Sequence, residues 1–352
     1  MTSLTDLGEV VDVVIGVDTH VHTHSAAVVD TRTGGVLDEI TIQATGQGYA
    51  QLVEFADQHA VLRVWAVKGT GSHGAGLARH LAAGHEVVVE LDRPERARRR
   101  HGAKSDPLDA IRAAREALSR PNLGTPRAGG RRQELSVLLA ARRSAVQAAG
   151  DAQRQLFSLV IAAPEPLRAR FRERSLTQMV ATAARMRAHR SCDAETTTTL
   201  TVLRSLARRA QTLATEAAQH QRAITVIVND WRPDLLAQHE VGPIVAATIL
   251  CAWSHPGRIR SEAAFAMLAG VAPIPASSGQ TTRHRLNSPG DRQLNRALHT
   301  IALSRIRWDQ PTRDYIARRT TEGKTTREAK RCLKRYIARN IYRLLEHNPN
   351  MP

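Results

Sequence analysis

The sequence is poor in cysteine and aromatic residues, and it contains no long apolar run. Its three cysteines, Cys192, Cys251 and Cys332, lie far apart with no Cys-x-x-Cys pair. This spacing argues against a disulfide framework and a zinc knuckle, so we expect reduced, buried thiols. Aromatic residues make up only 3% of the chain, which disfavours a single-strand binder that stacks successive bases. No apolar run approaches the roughly 18 residues of a membrane span, and the start MTSLTDLGEV lacks a signal region, so we expect a cytoplasmic protein.

Acidic residues are scarce relative to basic ones. The 352 residues include 50 Lys and Arg but only 33 Asp and Glu, which gives a formal net charge of +17. Such an excess predicts a polyanionic partner, and nucleic acid is the default. An anionic membrane is the weaker alternative. The length allows two or three domains.

The first 120 residues alternate between strand and helix patterns. Apolar runs predict strands over 11–18, 25–30, 35–43, 62–68 and 85–91, and helical periodicity predicts a helix over 48–60. Three consecutive strands followed by helix–strand–helix–strand–helix is the element order of a ribonuclease-H-like sheet. Other α/β folds share this order, so it does not decide the fold by itself.

A Pro-, Gly- and Arg-rich linker is predicted over 118–132, and a helical region extends from 133 to about 232 with a break near 162–166. One apolar seam of this region has the 3-4 spacing of a coiled coil and comprises Leu203, Leu206, Ala210, Leu213, Ala217, His220, Ile224 and Ile227. A second seam comprises Leu135, Leu139, Val146, Ala149, Leu156 and Val160, with interruptions at Arg142 and Gln153. A helical hairpin packed on itself and a dimer zipper explain these seams equally well.

The C-terminal third contains candidate contacts to nucleic acid. Gly242 and Pro243 form a turn before a helix of small residues, which resembles a helix-hairpin-helix element whose turn amides contact phosphate. Residues 305–343 are helical in pattern and strongly basic, so we favour nucleic-acid contact over a merely solvated face. The predicted nucleic-acid-binding residues are Gly242, Arg283, Arg285, Arg331, Lys334 and Arg335.

Three aspartates are candidate metal ligands. Asp18 ends the first strand, and Asp106 and Asp109 lie three residues apart on one face of a predicted helix. Hard oxygen ligands suit Mg²⁺, and paired metal ions can clamp the attacking and leaving oxygens of a phosphodiester. The structural alternative is that Asp106 caps the helix and Asp109 lies in its first turn, where the helix dipole favours negative charge. Spacing alone leaves both interpretations open.

Two further patterns carry weaker signals. His20, His22 and His24 share one face if their strand is regular, which is compatible with a zinc site, although no other ligand group completes it. Ser277 and Ser278 precede a glycine and several arginines. Such a serine can attack a phosphodiester while guanidinium groups stabilise the developing charge, although this is also ordinary loop composition.

Together these stretches resemble the DEDD transposases of the bacterial insertion-sequence one-hundred-and-ten family, the bridge-RNA-guided recombinases. IGVDTHVHTHSAAVVD resembles the family's opening motif, AKSDPLDAIRAA its paired-aspartate motif, and the stretch from VGPIVAATIL to GDRQLNRAL its C-terminal domain. The resemblance implies a ribonuclease-H-like (RuvC-like) α/β domain over 1–125 and a helical coiled-coil arm over 126–235. It also implies a mostly α transposase domain over 236–352, which contains the helix-hairpin-helix-like element.

The resemblance also implies chemistry. Asp18, Asp106 and Asp109 would bind Mg²⁺, and Ser278 would be the nucleophile that forms a covalent phosphoserine with double-stranded DNA. Ser277 is the neighbouring candidate. A structured RNA from the element's non-coding end would select target and donor DNA, and we expect a homodimer or homotetramer.

Lys68 departs from the family pattern. The family places its second acid at the end of the strand before GTGSHG, and this chain has Lys68 there. A lysine removes a metal ligand and adds a like charge, so it predicts weaker metal binding and impaired activity. A phosphate-binding loop is disfavoured, because such a loop carries its lysine after the glycines. The alternatives to a recombinase are a RuvC-like structure-specific nuclease and a non-catalytic nucleic-acid-binding protein.

Overall fold

A computed structural model describes residues 7–91, 106–121, 123–189, 192–276 and 284–347. The chain divides into two compact units, Met1–Gly129 and Gly130–Pro352. The division falls within the predicted linker. Ser277, Ser278 and Arg283, three of the predicted functional residues, lie outside the described residues.

The first unit is built on a mixed five-stranded sheet. Its strands are β1 (Val13–Thr19), β2 (Thr23–Asp30), β3 (Val36–Gln43), β4 (Arg63–Lys68) and β5 (Val88–Leu91). Their order is β3-β2-β1-β4-β5. β2 is antiparallel to both β1 and β3, whereas β4 is parallel to both β1 and β5. All five predicted strands are present, and the mixed α/β architecture predicted for this part is confirmed.

Helices cover both faces of this sheet. They are α1 (Leu7–Val10), α2 (Gly46–Asp57), α3 (Ala75–Ala83) and α4 (Asp106–Ser119). Strand side chains alternate between faces: those of Ile15, Val17 and Trp65 share a core with α2 and α3, and those of Val14 and Ala66 share one with the alanines of α4.

Gly16 allows α4 to lie directly on the central strand. A Cβ atom at this position would be 2.0 Å from the carbonyl oxygen of Ala110 and 2.5 Å from the amide nitrogen of Ala114. Any side chain larger than hydrogen would therefore push α4 away from β1. Because Asp18 follows Gly16 on the same face and Asp106 begins α4, this close packing brings the two aspartates together.

In its described residues, the second unit consists of helices and one short antiparallel pair of strands. Its elements are α5 (Gly130–Ala162), α6 (Glu165–Arg168), α7 (Leu176–Arg185), α8 (Ala194–Trp231), α9 (Pro233–Leu236), α10 (Pro243–Trp253), α11 (Glu262–Leu268), β6 (Ile274–Pro275), β7 (His284–Arg285), α12 (Arg292–Trp308), α13 (Gln310–Thr321) and α14 (Thr326–Glu346). The helical composition predicted for this part is confirmed.

The long helices α5 and α8 pair antiparallel within one chain. Arg131 near the start of α5 contacts Asp230 near the end of α8 (2.6 Å), and Arg142 donates to Gln221 (2.9 Å). Seven α5 side chains are buried, namely Leu135, Leu139, Ala145, Ala149, Ala152, Leu156 and Val160. Every residue of the predicted α8 seam is buried or partly buried. The hairpin interpretation therefore accounts for the seam.

One residue of the predicted α5 seam is misplaced. Val146 is 48% exposed, and Ala145 is buried instead. Arg142 and Gln153 interrupt the 3-4 spacing, so sequence spacing alone does not fix which neighbour faces α8. The prediction that the cysteines are buried is also wrong, because each of the three side chains is only partly buried.

Helices α10 to α14 surround one apolar core. Trp253, Phe265 and Leu298 are buried in it, together with Leu333 and Ile341 of α14. Leu135 and Val228, at the base of the helical hairpin, belong to the same core. None of the described helices is long and apolar enough to cross a membrane.

Candidate functional site

Asp18 lies at the carboxyl end of the central strand. Residues Val13 to Val17 form a buried run, and the strand ends at Thr19, whose hydroxyl donates to the carbonyl oxygen of Lys68 (2.9 Å). This bond ties the ends of β1 and β4 together. Only 15% of the Asp18 side chain is exposed, so its carboxylate lies at the edge of the core rather than free in water.

Three side chains form a cluster that can hold a metal ion. One ligand atom each from Asp18, His20 and Asp106 lies within 4.8 Å of the others. His20 Nε2 is 3.1 Å from Asp18 Oδ2 and 3.3 Å from Asp106 Oδ1. Two carboxylates and an imidazole fit a divalent ion, and the nitrogen donor widens the choice from Mg²⁺ to Mn²⁺.

Asp109 is near the cluster through its backbone rather than its side chain. Its carboxylate pairs with Arg112 one turn along α4 (2.8 Å), and its carbonyl oxygen accepts a hydrogen bond from Lys68 Nζ (2.8 Å). The carboxylate is not part of the group formed by Asp18, His20 and Asp106. Asp109 would have to leave Arg112 to bind a metal ion there.

Lys68 places its ammonium among these acids. Nζ is 3.8 Å from Asp18 Oδ1 and donates to the Asp109 carbonyl, and only 15% of the side chain is exposed. The two oxygens of Asp18 thus have different neighbours, since Oδ1 is near Lys68 and Oδ2 is near His20. The ammonium supplies positive charge at one side of the carboxylate.

Glu90 does not replace the acid that Lys68 displaces. This buried glutamate on β5 was missed by sequence reasoning, and it accepts a hydrogen bond from Thr70. In the parallel β4–β5 pair, Glu90 is in register with Val67, whereas Lys68 is in register with Leu91. Because successive side chains point to opposite faces, Glu90 faces away from Lys68 and α4.

The three histidines of the opening motif do not line one face. β1 ends at Thr19 and β2 begins at Thr23, so His20 and His22 lie in a turn. His24 is fully buried, stacks on Tyr49 (ring centroids 5.7 Å apart) and has an unpaired Nε2. Burial lowers the pKa of His24. The regular-strand premise of the zinc site is wrong, although His20 alone approaches Asp18 and Asp106.

Four of the residues predicted to bind nucleic acid lie close together in the second unit. Arg285, Arg331, Lys334 and Arg335 line one cavity of about 690 Å³. Their order along the chain did not predict this, because β7 and α14 are brought together only by tertiary packing. Gly242 caps α10, which begins at Pro243 with no side-chain cap. The preceding helix α9 is a single turn, which is short for the first helix of a helix-hairpin-helix.

In the α/β domain, one aspartate lies on the central strand and a second begins a helix packed against that strand. A family model of DEDD transposases of the IS110 type matches residues 15–162. A second model, described as the transposase IS116/IS110/IS902 family, matches residues 235–317. The chain belongs to the IS110 family of transposases, as its motifs indicated. No curated protein matches it.

Proposed function

We propose that this transposase cuts and rejoins the DNA of an insertion sequence with a divalent ion and a serine nucleophile, under the guidance of a structured RNA. The cluster of Asp18, His20 and Asp106 supports the metal site, since its ligand atoms lie within 4.8 Å of one another. A divalent ion bound there would stabilise negative charge on a DNA phosphate. The strand order supports a ribonuclease-H-like domain over 1–125, and we retain 126–235 as the arm and 236–352 as the C-terminal domain.

The proposed roles of the chain's own residues are distinct. Asp18 and Asp106 would hold the ion, with Asp109 as a further ligand once it leaves Arg112, and Arg285 would hold DNA phosphate. The Ser278 oxygen would attack phosphorus, forming an ester bond as the bond to one strand end breaks. The hydroxyl proton would pass to the leaving oxygen. The assignment of Ser278 rests on its position in the family motif.

A trapping experiment tests this function. The purified chain is mixed with labelled element DNA, the RNA and Mg²⁺, and is then denatured in detergent to detect a protein–DNA covalent bond. We expect an adduct with the unmodified chain, loss of it in Ser278→Ala, and retention in Ser288→Ala, which alters an exposed serine of the same region. No adduct in the Lys68→Glu variant, tested with several divalent ions, would contradict the proposal.

Lys68 supports one alternative, a nucleic-acid-binding protein without catalysis. Its ammonium lies near Asp18 and would repel a divalent ion bound in the cluster. This alternative predicts DNA binding that is unchanged by a chelator and no adduct in any variant. A RuvC-like nuclease instead predicts that Ser278→Ala still cuts DNA.

We also propose assembly into a dimer or tetramer. Because α5 covers the α8 seam within the chain, we expect the interface to lie outside that seam. A monomer by light scattering at micromolar concentration, with and without RNA, would contradict this part of the proposal.

A further inference from the structure

The cavity of the second unit has the size of a site for one small molecule. It encloses about 690 Å³ between the segment 270–273, β7 and the helices α13 and α14. Pockets for ligands of drug or cofactor size enclose about 300–1,000 Å³. A single nucleotide is a ligand of this size class. We call this cavity the basic pocket.

The lining of the basic pocket carries a large excess of positive charge. Its cationic residues are Arg285, Arg319, Lys324, Arg331, Lys334, Arg335 and Arg339, and Glu328 is the one acidic residue in the described part of the lining. Glu328 completes the N-terminal cap of α14 with Thr325. Among the described residues, no carboxylate lies within ion-pair distance of Arg285, Lys324 or Arg331. Hydrogen bonds from Thr325 and, to a lesser extent, the charges of Lys324 and Arg331 lower the pKa of Glu328, so the lining is balanced only in part and favours an anion from outside.

A bound anion would stabilise two cationic side chains of the pocket, Arg335 and Lys334. Arg335 Nη1 is buried without a hydrogen-bond partner, although the same guanidinium is 3.5 Å from Glu262 through Nη2. Burial and the nearby charge of Arg331 lower the pKa of Lys334, whose Nζ donates to Asn295 (2.8 Å). A phosphate accepting from Arg335 and facing Lys334 would satisfy both groups.

The pocket also contains an aromatic surface. Tyr315 and Tyr336 meet edge to face with ring centroids 5.8 Å apart, and Arg339 lies 5.7 Å from the centroid of Tyr336. Tyr336 is 48% exposed, so part of its ring is available for stacking. In a chain with only 4 tyrosines, two in one basic cavity are a local concentration that composition did not reveal.

We propose that the basic pocket binds one unpaired nucleotide of a nucleic-acid strand, with its phosphate at Arg331, Lys334 and Arg335 and its base against Tyr336. This inference rests on the proposed nucleic-acid binding and goes further, because it specifies an unstacked nucleotide rather than a duplex backbone. A concave site reaches a base only when that base has left its stack. Phosphate contacts alone would not need the tyrosines.

Cysteine footprinting tests the proposal, because Cys332 lines the pocket while Cys192 and Cys251 belong to other parts of the same unit. Alkylation of the three thiols is followed by mass spectrometry in EDTA, so that binding alone is measured. The ligands are single-stranded DNA, single-stranded RNA and a blunt duplex of the same sequence. We expect either single strand to slow Cys332 alkylation at least fivefold more than the duplex, with Cys192 and Cys251 unchanged as references.

Substitutions on exposed positions separate base from phosphate contacts. Tyr336→Leu should weaken single-strand binding by roughly five- to a hundredfold, the usual effect of one base–aromatic stack. Tyr336→Phe keeps an aromatic ring and should bind as tightly as the unmodified chain. Arg331→Glu should abolish protection of Cys332. Arg209→Glu is the matched control, because Arg209 is exposed on α8, outside both the basic stretch 305–343 and the pocket.

The outcomes distinguish this inference from the proposed function. Preferential protection by DNA or by RNA identifies which strand enters the pocket. Equal protection by duplex and single strand, or no protection of Cys332 while duplex binding persists, would overturn the unpaired-nucleotide site and leave DNA binding intact. If the unmodified chain bound no nucleic acid at all, the proposed function itself would be refuted.

Discussion

Lys68 is the residue whose replacement has the largest expected effect on metal binding. At an effective dielectric near 20, a unit charge about 4 Å from a divalent ion is repelled by roughly 8 kcal/mol, an upper bound because the lysine stem is flexible. We expect Lys68→Glu to raise divalent-ion affinity at least tenfold, since each 1.4 kcal/mol is a factor of ten, and Lys68→Ala to be intermediate. Calorimetric titration with Mg²⁺ and Mn²⁺ measures this.

The control for Lys68 is a charge reversal away from the cluster. Arg79→Glu alters an exposed position on α3 and changes the net charge by the same amount, so it should leave the affinity unchanged. Equal affinities for the unmodified chain and Lys68→Glu would show that the ammonium does not oppose the ion.

His24 should make the stability of the first unit sensitive to mild acid. Burial holds its pKa below the ordinary value of 6.5 in the folded state, so between these two pKa values the unfolded chain binds more protons. The free energy of unfolding therefore falls as pH drops below about 6.5, by at most about 1.4 kcal/mol per pH unit. Urea unfolding at pH 7.5 and 5.5 measures the loss.

A companion variant isolates the imidazole. His24→Phe keeps a ring against Tyr49 and removes the titrating group, so its loss of stability over this pH range should be smaller. An identical loss in both proteins would assign the acid sensitivity to other groups.

The contact between β1 and α4 is the element-scale feature on which the aspartate cluster depends. Gly16→Ala would place a methyl group 2.0 Å from the Ala110 carbonyl, so α4 must shift. We expect a loss of roughly 1–3 kcal/mol in the free energy of unfolding and weaker metal binding. Denaturant unfolding and calorimetry measure these. Gly46→Ala, where a Cβ meets no atom within 4 Å, should leave both quantities nearly unchanged.

The elements themselves were largely predictable, whereas their partners were not. The apolar runs of β1, β4 and β5 identify strands because each is short, rich in valine and bounded by turn residues. The 3-4 seam of α8 predicts a packed helix, but spacing says nothing about whether α5 or a second chain covers it. The predicted strands end at 18 and resume at 25, which leaves His20 in their connection. Sequence spacing does not show which way a side chain in such a connection points, so the approach of His20 to Asp106 was not predictable.

At the scale of the whole molecule, the net charge of +17 should make nucleic-acid binding strongly dependent on salt. Counterion release gives a log–log slope of about −0.9 per phosphate contact on a duplex and about −0.7 on a single strand. We expect the double variant Arg285→Gln/Arg331→Gln to reduce the magnitude of this slope by roughly 1.8 for a duplex and roughly 1.4 for a single strand, because both side chains are exposed and have no carboxylate within ion-pair distance among the described residues. Fluorescence anisotropy across a salt series measures it.

Substitution is preferable to truncation in this experiment. Deleting residues 305–352 would remove Leu333 and Ile341 from the core and thus change folding as well as charge. Arg318→Gln is the matched control, since Arg318 is exposed but lies 3.9 Å from Glu322. A slope unchanged in the double variant would assign its two cations to a solvated face.

The shared core of the helical hairpin and α14 has a consequence for synthesis on the ribosome. Leu135 and Leu345 belong to one apolar core, yet about 200 residues separate them, which translation at roughly 5–20 residues per second adds in about 10–40 seconds. The sheet and α4 are complete much earlier. A nascent chain thus carries its finished acidic cluster for tens of seconds before the basic helix that completes the second unit has been made, and during that interval it exposes the apolar residues that α14 will cover.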